Sequence, residues 1–494
     1  MSKKLYITTA IPYVNGAPHI GHAMDYLLAD IWARYHRVNG QEVRYQIGTD
    51  EHGNKNAMKA AEHGIAPQTF VDQSSQAFRQ MAEKVGASFT DVVRTTDAQH
   101  IAAVQYIWQQ LRPHIYKNTY QGWYCTGCEQ FYTDKEVEST NGICPNHQKP
   151  YEQLSEENYY LRCSDFTDQI RDAITSGTMR IVPEFRRNEI LELIKDGVHD
   201  VSISRPKKSL SWGVQVPDDP EQVIYVWIDA LSNYITVLGY PQSETWHEFW
   251  PADVQVIGKD ILRFHAIIWP AILLGLGLPL PKKILAHGFV NIGGSKISKS
   301  LGNGIDPSEI IDQYGLDAFR YFFARHIPTL EDGDFTYEKF ETAYNNELSN
   351  ELGNLVQRVV AMVNRYQQGV VGDGVKAEHD SDAYHEAMHA LEFNKALDHV
   401  WLTVRSLNQY LEDVKPWTVA KTKDTDPEAA AHLEEILLHA AGTLQQVAEL
   451  LAPFLPDTSA AITKIFEGGV ITPYEGVLFP KKYLHTPDPH APKL

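Results

Sequence analysis

A chain of 494 residues, 43% hydrophobic and 22% charged, is long enough for about three domains and has a globular composition, which excludes a disordered, fibrous or low-complexity protein. Forty-four Lys and Arg against 63 Asp and Glu leave a net charge of −19. That balance excludes indiscriminate adsorption to nucleic acid, which draws on cations that neutralise phosphates.

The first nine residues lack the apolar core and cleavage site of a signal peptide, so a cytoplasmic location is expected. Leu5 to Thr9 is β-rich, a loop from Pro12 to Pro18 carries Asn15 and Gly16, and apolar periodicity then predicts a helix from Ile20 to about Val38. A strand fits Glu42 to Ile47, and helices fit Asn54 to His63, Gln68 to Val85 and Ala98 to Pro113. Strands alternating with helices predict a parallel α/β sheet. Alternation stops near Tyr116, and the turn-rich segment 116–222 reads as an insertion between two half-sheets, 1–115 and 223–290. Ala266 to Pro281 is the most apolar stretch, but it falls short of about 18 residues and is interrupted by Pro270 and Pro279, so no membrane span is expected. A linking region follows over 291–335. Beyond it, long helical patterns such as Glu347 to Tyr366, Asp382 to Val414 and Glu428 to Leu451 predict an all-α bundle over 336–494.

Three strings carry chemistry. Cys125-x-x-Cys128 is followed, after fifteen residues, by Cys144-x-x-His147. Three thiolates and an imidazole make a tetrahedral, closed zinc site with no open position for water, so its expected role is structural, with Cys163 outside it. His19-Ile-Gly-His22 lies where the first loop becomes the first helix. There, free N–H groups, the helix dipole and two imidazoles suit phosphoryl oxygens. Lys296-Ile-Ser-Lys-Ser300, flanked by Gly293, Gly294, Gly302 and Gly304, combines a glycine-rich loop with two ammonium groups. That pairing suits a polyphosphate that is gripped and then released.

Together the last two strings resemble the signature motifs of class I aminoacyl-tRNA synthetases. Ala10-Ile-Pro-Tyr-Val-Asn-Gly16, Gly48-Thr-Asp-Glu-His-Gly53, Tyr225-Val-Trp-Ile-Asp-Ala230, Arg263-Phe-His-Ala-Ile-Ile-Trp-Pro270 and Ala286-His-Gly288 are similar, in order and spacing, to the methionyl branch of that family. The resemblance runs from about residue 4 to about residue 465. It implies a split Rossmann-type catalytic domain with a zinc-knuckle insertion, a stem-contact region over 291–335 and an anticodon-binding helix bundle. It also implies activation of L-methionine by ATP with Mg²⁺, followed by transfer to the terminal adenosine of tRNA(Met). His19, His22, Lys296 and Lys299 would be catalytic. Gly21, Gly258, Asp260, His287, Gly288 and Lys299 would meet ATP, with Lys259 beside them. Ile11, Tyr13, Asp50, Trp227, Ala230, Tyr234, His265 and Trp269 would line the methionine site, Asp50 holding the ammonium. Arg365 and Trp417 would read the anticodon.

The gap between His22 and Lys296 leaves no room for the large editing domain of the Ile, Val and Leu enzymes, and the compact cysteine cluster differs from the dispersed ligands of the cysteine enzyme. Methionine is therefore favoured over another class I specificity. A catalytically silent, zinc-containing tRNA-binding paralogue remains the alternative outside enzymology, with the intact His and Lys strings against it. Two departures from the family pattern stand out: Ala361, four residues before Arg365, where some members have Asn, and Ile297, where Met is usual. The chain stops at Leu494 without the appended C-terminal domain of some relatives, so a monomer is expected. With so acidic a chain, tRNA is expected to meet local basic strips such as Arg205-Pro-Lys-Lys208 and the helix bearing Arg358 and Arg365.

Overall fold

The computed structural model describes residues 4–125, 130–145, 148–297, 304–371, 381–471 and 476–486. Its first half is built as strand β1 (Lys4–Thr9), helix α1 (Ile20–Val38), strand β2 (Glu42–Thr49), helices α2 (Asn54–Glu62) and α3 (Pro67–Lys84), strand β3 (Asp91–Arg94) and helix α4 (Ala98–Gln110). Six parallel strands make the main sheet, in the order β3, β2, β1, Val254–Gly258, Lys283–His287, Arg180–Val182. Ile7 aligns with Tyr45 on one side, and with Val254 on the other.

The strand order reverses at β1, and in such sheets the crevice at the carboxyl ends beside the reversal is where ligands bind. Alternation along β1 splits the core. Leu5 and Ile7 join a cluster with α1, α3 and the C-terminal helices, whereas Tyr6 joins one with Trp108, Ile228 and Trp269 on the opposite face.

The outermost strand, Arg180–Val182, comes from the segment read above as pure insertion. Three residues ending at Pro183 are too short to register as a strand in sequence, and only pairing with Lys283–Leu285 defines them. The insertion also holds an antiparallel sheet in which Ile115–Cys125 pairs with Glu152–Leu161 from Ile115↔Leu161 to Tyr124↔Glu152.

Among the described residues the C-terminal bundle is built mainly from the helices Asn354–Gln367, Asp382–Ala390, Phe393–Val414, Pro427–Leu451 and Pro456–Phe466. The single helix expected over 382–414 is two helices. Leu391 adopts φ +64°, which ends the first helix while its side chain stays in the core, so the apolar periodicity crosses the break unaltered. Arg320, fully buried, joins the parts. It pairs with Asp30 of α1 at 2.7 Å and donates to the carbonyls of Val85, Pro453 and Phe454. Among the described residues, no helix is long and apolar enough to cross a membrane.

Candidate active site

The loops after β1 and β2 clip one another: Asp50 N–H donates to Pro12 O at 2.9 Å, and Val14 N–H to Asp50 O at 3.4 Å. Together with Gly258, His287 and the helix Val226–Thr236 they enclose a cavity of about 440 Å³ at the strand ends. Its lining brings together Ile11, Tyr13, His19, Gly21, His22, Asp50, Trp227, Ala230, Tyr234, Gly258, Asp260, His265, His287 and Lys296, residues spread over nearly 290 positions.

One end of the cavity is rich in donors. His19 is the N-cap of α1. Gly21 N–H donates to His19 Nδ1 at 3.1 Å, and His19 N–H donates to His22 Nδ1 at 3.2 Å. With each Nδ1 accepting, the proton of each neutral imidazole resides on Nε2, a donor. A Cβ on Gly21 would stand 2.9 Å from the His19 ring, so glycine is what lets that ring cap the helix. One turn on, Asp25 Oδ1 meets His287 Nε2 at 2.6 Å, while His287 Nδ1–H donates to Gly288 O at 2.8 Å. Burial alone would lower the His287 imidazole, but the charge and hydrogen bond of Asp25 outweigh it and raise it; burial also raises the Asp25 carboxyl. Lys259 and Lys296 each place Nζ 4.5 Å from the centre of the Phe289 ring, and Lys259 is held by Asp332 at 2.6 Å.

The other end is aromatic. Trp227 and Phe264 stack with centroids 3.7 Å apart and planes 7° from parallel. His265, buried, donates from Nδ1 to Ile261 O at 3.0 Å and accepts the Tyr234 hydroxyl proton on Nε2 at 2.7 Å. Burial lowers the His265 pKa to about 4, so the ring is neutral and both nitrogens are committed. Trp269 does not reach the cavity. It packs 5.8 Å behind Tyr234, fully buried, as a support.

Gly288 also lies outside the lining. A Cβ there would come within 2.0 Å of Glu331 O, so its glycine serves the close approach of the 331–332 backbone. Lys299, Cys128 and His147 fall outside the described residues. Cys125 and Cys144 are buried in one small cluster with Val137 and Tyr151. Cys163 lies apart in the main core, where burial raises its thiol pKa. On the bundle, Arg365 is exposed and Trp417 is 36% exposed, so neither is a core residue. Lys423 Nζ donates to Tyr366 O at 2.9 Å, tying the segment after Trp417 to the helix end that carries Arg365.

Of the basic strip proposed above, Lys207 and Lys208 are exposed but Arg205 is buried. Its guanidinium lies 4.4 Å from the Tyr225 ring and donates to Ser202 and Ser204.

Sequence reasoning missed Asp25, Phe264 and Phe289. Asp25 follows His22 by three residues and Gly21 by four, a spacing that places all three on one helix face and could have found it. Phe264 and Phe289 carry no comparable signal, since their partners are remote in the chain.

A family model described as tRNA synthetases class I (M) matches residues 5–154 and 147–360, and one described as the anticodon binding domain of methionyl tRNA ligase matches 375–472. The Methionine–tRNA ligase of Caldanaerobacter subterraneus is 41% identical over 482 residues, 94% of this chain and 74% of its own. That of Thermotoga maritima is 40% identical over 475 residues, 93% and 74%. In structure, the Mycobacterium tuberculosis methionyl-tRNA synthetase in complex with methionyl-adenylate superposes with TM-score 0.90 at 36% identity, covering 97% of this chain and all of that one. The apo form from the same organism superposes with TM-score 0.84 at 32% identity, covering 98% and 99%.

Proposed function

The chain belongs to the methionine–tRNA ligase family of class I tRNA synthetases, and on that premise we propose how its cavity activates methionine and passes it to tRNA. The observation that carries the reading is the division of one cavity into a donor-rich end and an aromatic end, with Asp50 lining it as well.

Methionine places its ammonium on Asp50 and its thioether side chain among Trp227, Tyr234, Ala230 and Ile11. A neutral thioether offers no strong hydrogen-bonding handle, so shape and sulfur–aromatic contact decide the fit. Tyr234 spends its proton on His265 and presents only oxygen lone pairs and ring to the ligand. Tyr13, which faces Lys55 Nζ at 5.2 Å, covers the entrance loop.

ATP lies against Gly21, Gly258, Asp260 and His287. The methionine carboxylate attacks the α-phosphorus, the bond from that phosphorus to the α,β-bridging oxygen breaks, and pyrophosphate leaves with the electron pair on that oxygen. No protein nucleophile takes part. His19 and His22 donate from Nε2 to phosphoryl oxygens as charge shifts, and Lys296, with Lys299, holds the departing pyrophosphate. Mg²⁺ bound with ATP would offset phosphate charge. In the second half-reaction a hydroxyl of the terminal adenosine of the tRNA attacks the adenylate carbonyl and AMP leaves.

The insertion is proposed to carry one structural zinc through Cys125, Cys128, Cys144 and His147. In support, Cys144 O accepts from Gln148 N at 2.8 Å and Cys144 N donates to Lys149 O at 2.9 Å, which holds Gln148 and Lys149 against Cys144. When bound, zinc would cross-link the Cys144 segment to the end of strand Ile115–Cys125. Arg365 and Trp417 are proposed to meet the anticodon.

Pyrophosphate exchange measured with each of Met, Leu, Ile, Val and Cys tests the reading. Exchange driven by methionine is expected; exchange driven by another of these amino acids, or by none, would overturn it.

A further inference from the structure

The helix Val226–Thr236 is almost wholly buried, yet it carries a polar stripe. Asp229, Asn233 and Thr236, at i, i+4 and i+7, are 1%, 1% and 3% exposed. Asp229 Oδ2 accepts from His52 Nδ1 at 2.7 Å, and Oδ1 from His100 Nε2 at 2.9 Å. His100 Nδ1 lies 2.7 Å from the Thr236 hydroxyl on the same helix. Asn233 Oδ1 accepts from Gln46 Nε2 of β2 at 2.9 Å. The same helix turns Trp227, Ala230 and Tyr234 to the cavity.

A carboxylate with no access to water is tolerated only when paired, and this pairing dictates the rotation of the helix about its axis. Turning the helix by one residue would leave Asp229 buried without donors. Burial pushes the Asp229 carboxyl up, but His52 and His100 outweigh it and hold it at about 2.

His52 stands two residues beyond Asp50, in a segment with little freedom. Asn56 Nδ2 donates to the carbonyls of Asp50, Glu51 and His52 at 3.3, 2.9 and 3.3 Å. The Glu51 carboxylate is gripped by Arg94 at 2.7 and 2.8 Å, and Trp212 Nε1 donates to Glu51 O at 2.8 Å. Asp229 therefore grips, from the back of the specificity helix, the short segment whose front presents Asp50.

We propose that the His52–Asp229–His100 relay is a positioning device that fixes the distance between the Asp50 carboxylate and the Trp227–Tyr234 wall, so that the ammonium and the side chain of methionine are recognised as one unit. The proposal rests on the assignment of Asp50 to the ammonium. The three relay residues touch no substrate; they act through Asp50 and the helix.

The test compares L-methionine with 4-(methylthio)butanoate, which keeps the side chain and carboxylate but lacks the ammonium. The first is followed by its KM in pyrophosphate exchange, the second by its inhibition constant. His52→Leu is expected to raise the methionine KM about tenfold or more while the KM for ATP and the inhibition constant of the analogue stay within about twofold. His52→Asn, whose amide N–H replaces Nδ1, is expected to recover most of the loss. His52→Gln moves the donor outward and serves as the second variant if His52→Leu fails to fold; it is expected to behave as His52→Leu. Equal losses for methionine and analogue, or no loss for either, would overturn the proposal. Asp50→Asn is the separate control: if it preserves the preference for methionine over the analogue, the Asp50 assignment fails instead.

Discussion

His19 and His22 cap the first turn of α1 reciprocally, each Nδ1 accepting a backbone N–H, with ring centroids 3.9 Å apart. The cap does two jobs with one pair of rings. It satisfies orphan amides of the helix start, and it selects the tautomer that donates from Nε2. Stability and chemistry can therefore be separated by substitution. Asn keeps an acceptor near the Nδ1 position and is among the best N-caps, but it has no Nε2. His19→Asn should melt within about 1 kcal/mol of the parent while pyrophosphate exchange falls about 10²–10³-fold, the usual loss for one transition-state donor. Thermal melting and exchange on the same preparation check this, and an exchange rate near the parent's would remove His19 from the chemistry.

The neutral state of His265 has a cost that appears at low pH. Its folded pKa is depressed to about 4 by burial, against 6.5 for the exposed group. The unfolded chain thus binds an extra proton between those values, and stability rises with pH across that window. Stability is full above about pH 6.5 and falls by about 3 kcal/mol as pH drops through 4, from a shift of this size at about 1.4 kcal/mol per unit. His265→Gln, which does not titrate, should lose that slope. Denaturant midpoints for both proteins from pH 7 to 4 measure it, and parallel curves would contradict the assignment.

How far these features were legible depends on what defines them. The two half-sheets, the insertion and the bundle follow from local periodicity and were visible, as were most cavity residues, which sit in the motifs themselves. Strand Arg180–Val182 was not visible, because three residues have no pattern of their own and exist as a strand only through Lys283–Leu285. The Leu391 break was hidden by a buried side chain that preserves the helical period. Trp269 and Gly288 lie beside the cavity and outside its lining: one supports Tyr234 from behind, and the other makes room for the backbone at 331–332. Arg205 was counted as a surface cation because sequence alone carries no burial.

The Gly288 contact makes a sharp prediction. A Cβ at this position would meet backbone atoms, Glu331 O at 2.0 Å and Asp332 N at 2.6 Å, and backbone cannot rotate away as a side chain can. Asp332 also accepts from Phe289 N–H at 2.9 Å and holds Lys259, so displacing it loosens the wall beneath the cavity. Gly288→Ala should cost about 1–3 kcal/mol, the usual range for overpacking, and should raise the KM for ATP more than that for methionine. Melting and the two KM values decide it; a rise confined to methionine would place the 331–332 segment on the wrong side of the cavity.

Trp417 separates the bundle's task from that of the cavity. Its ring is 36% exposed on the short helix Pro416–Val419, a large apolar surface displayed to solvent. Base stacking on such a ring is worth about 1–3 kcal/mol, so Trp417→Ala should lower kcat/KM for tRNA aminoacylation by about 5- to 150-fold. Methionine-dependent exchange, which needs no tRNA, should be unchanged, because the cavity lining contains no bundle residue. The acidic balance of the chain adds a second readout. If stacking carries the contact, the loss from Trp417→Ala should be nearly independent of salt, whereas Arg365→Ala, which removes a cation, should cost less as ionic strength rises. Aminoacylation at two salt concentrations distinguishes them, and a salt-dependent Trp417 effect would show that the ring supports a neighbouring cation and does not stack on a base.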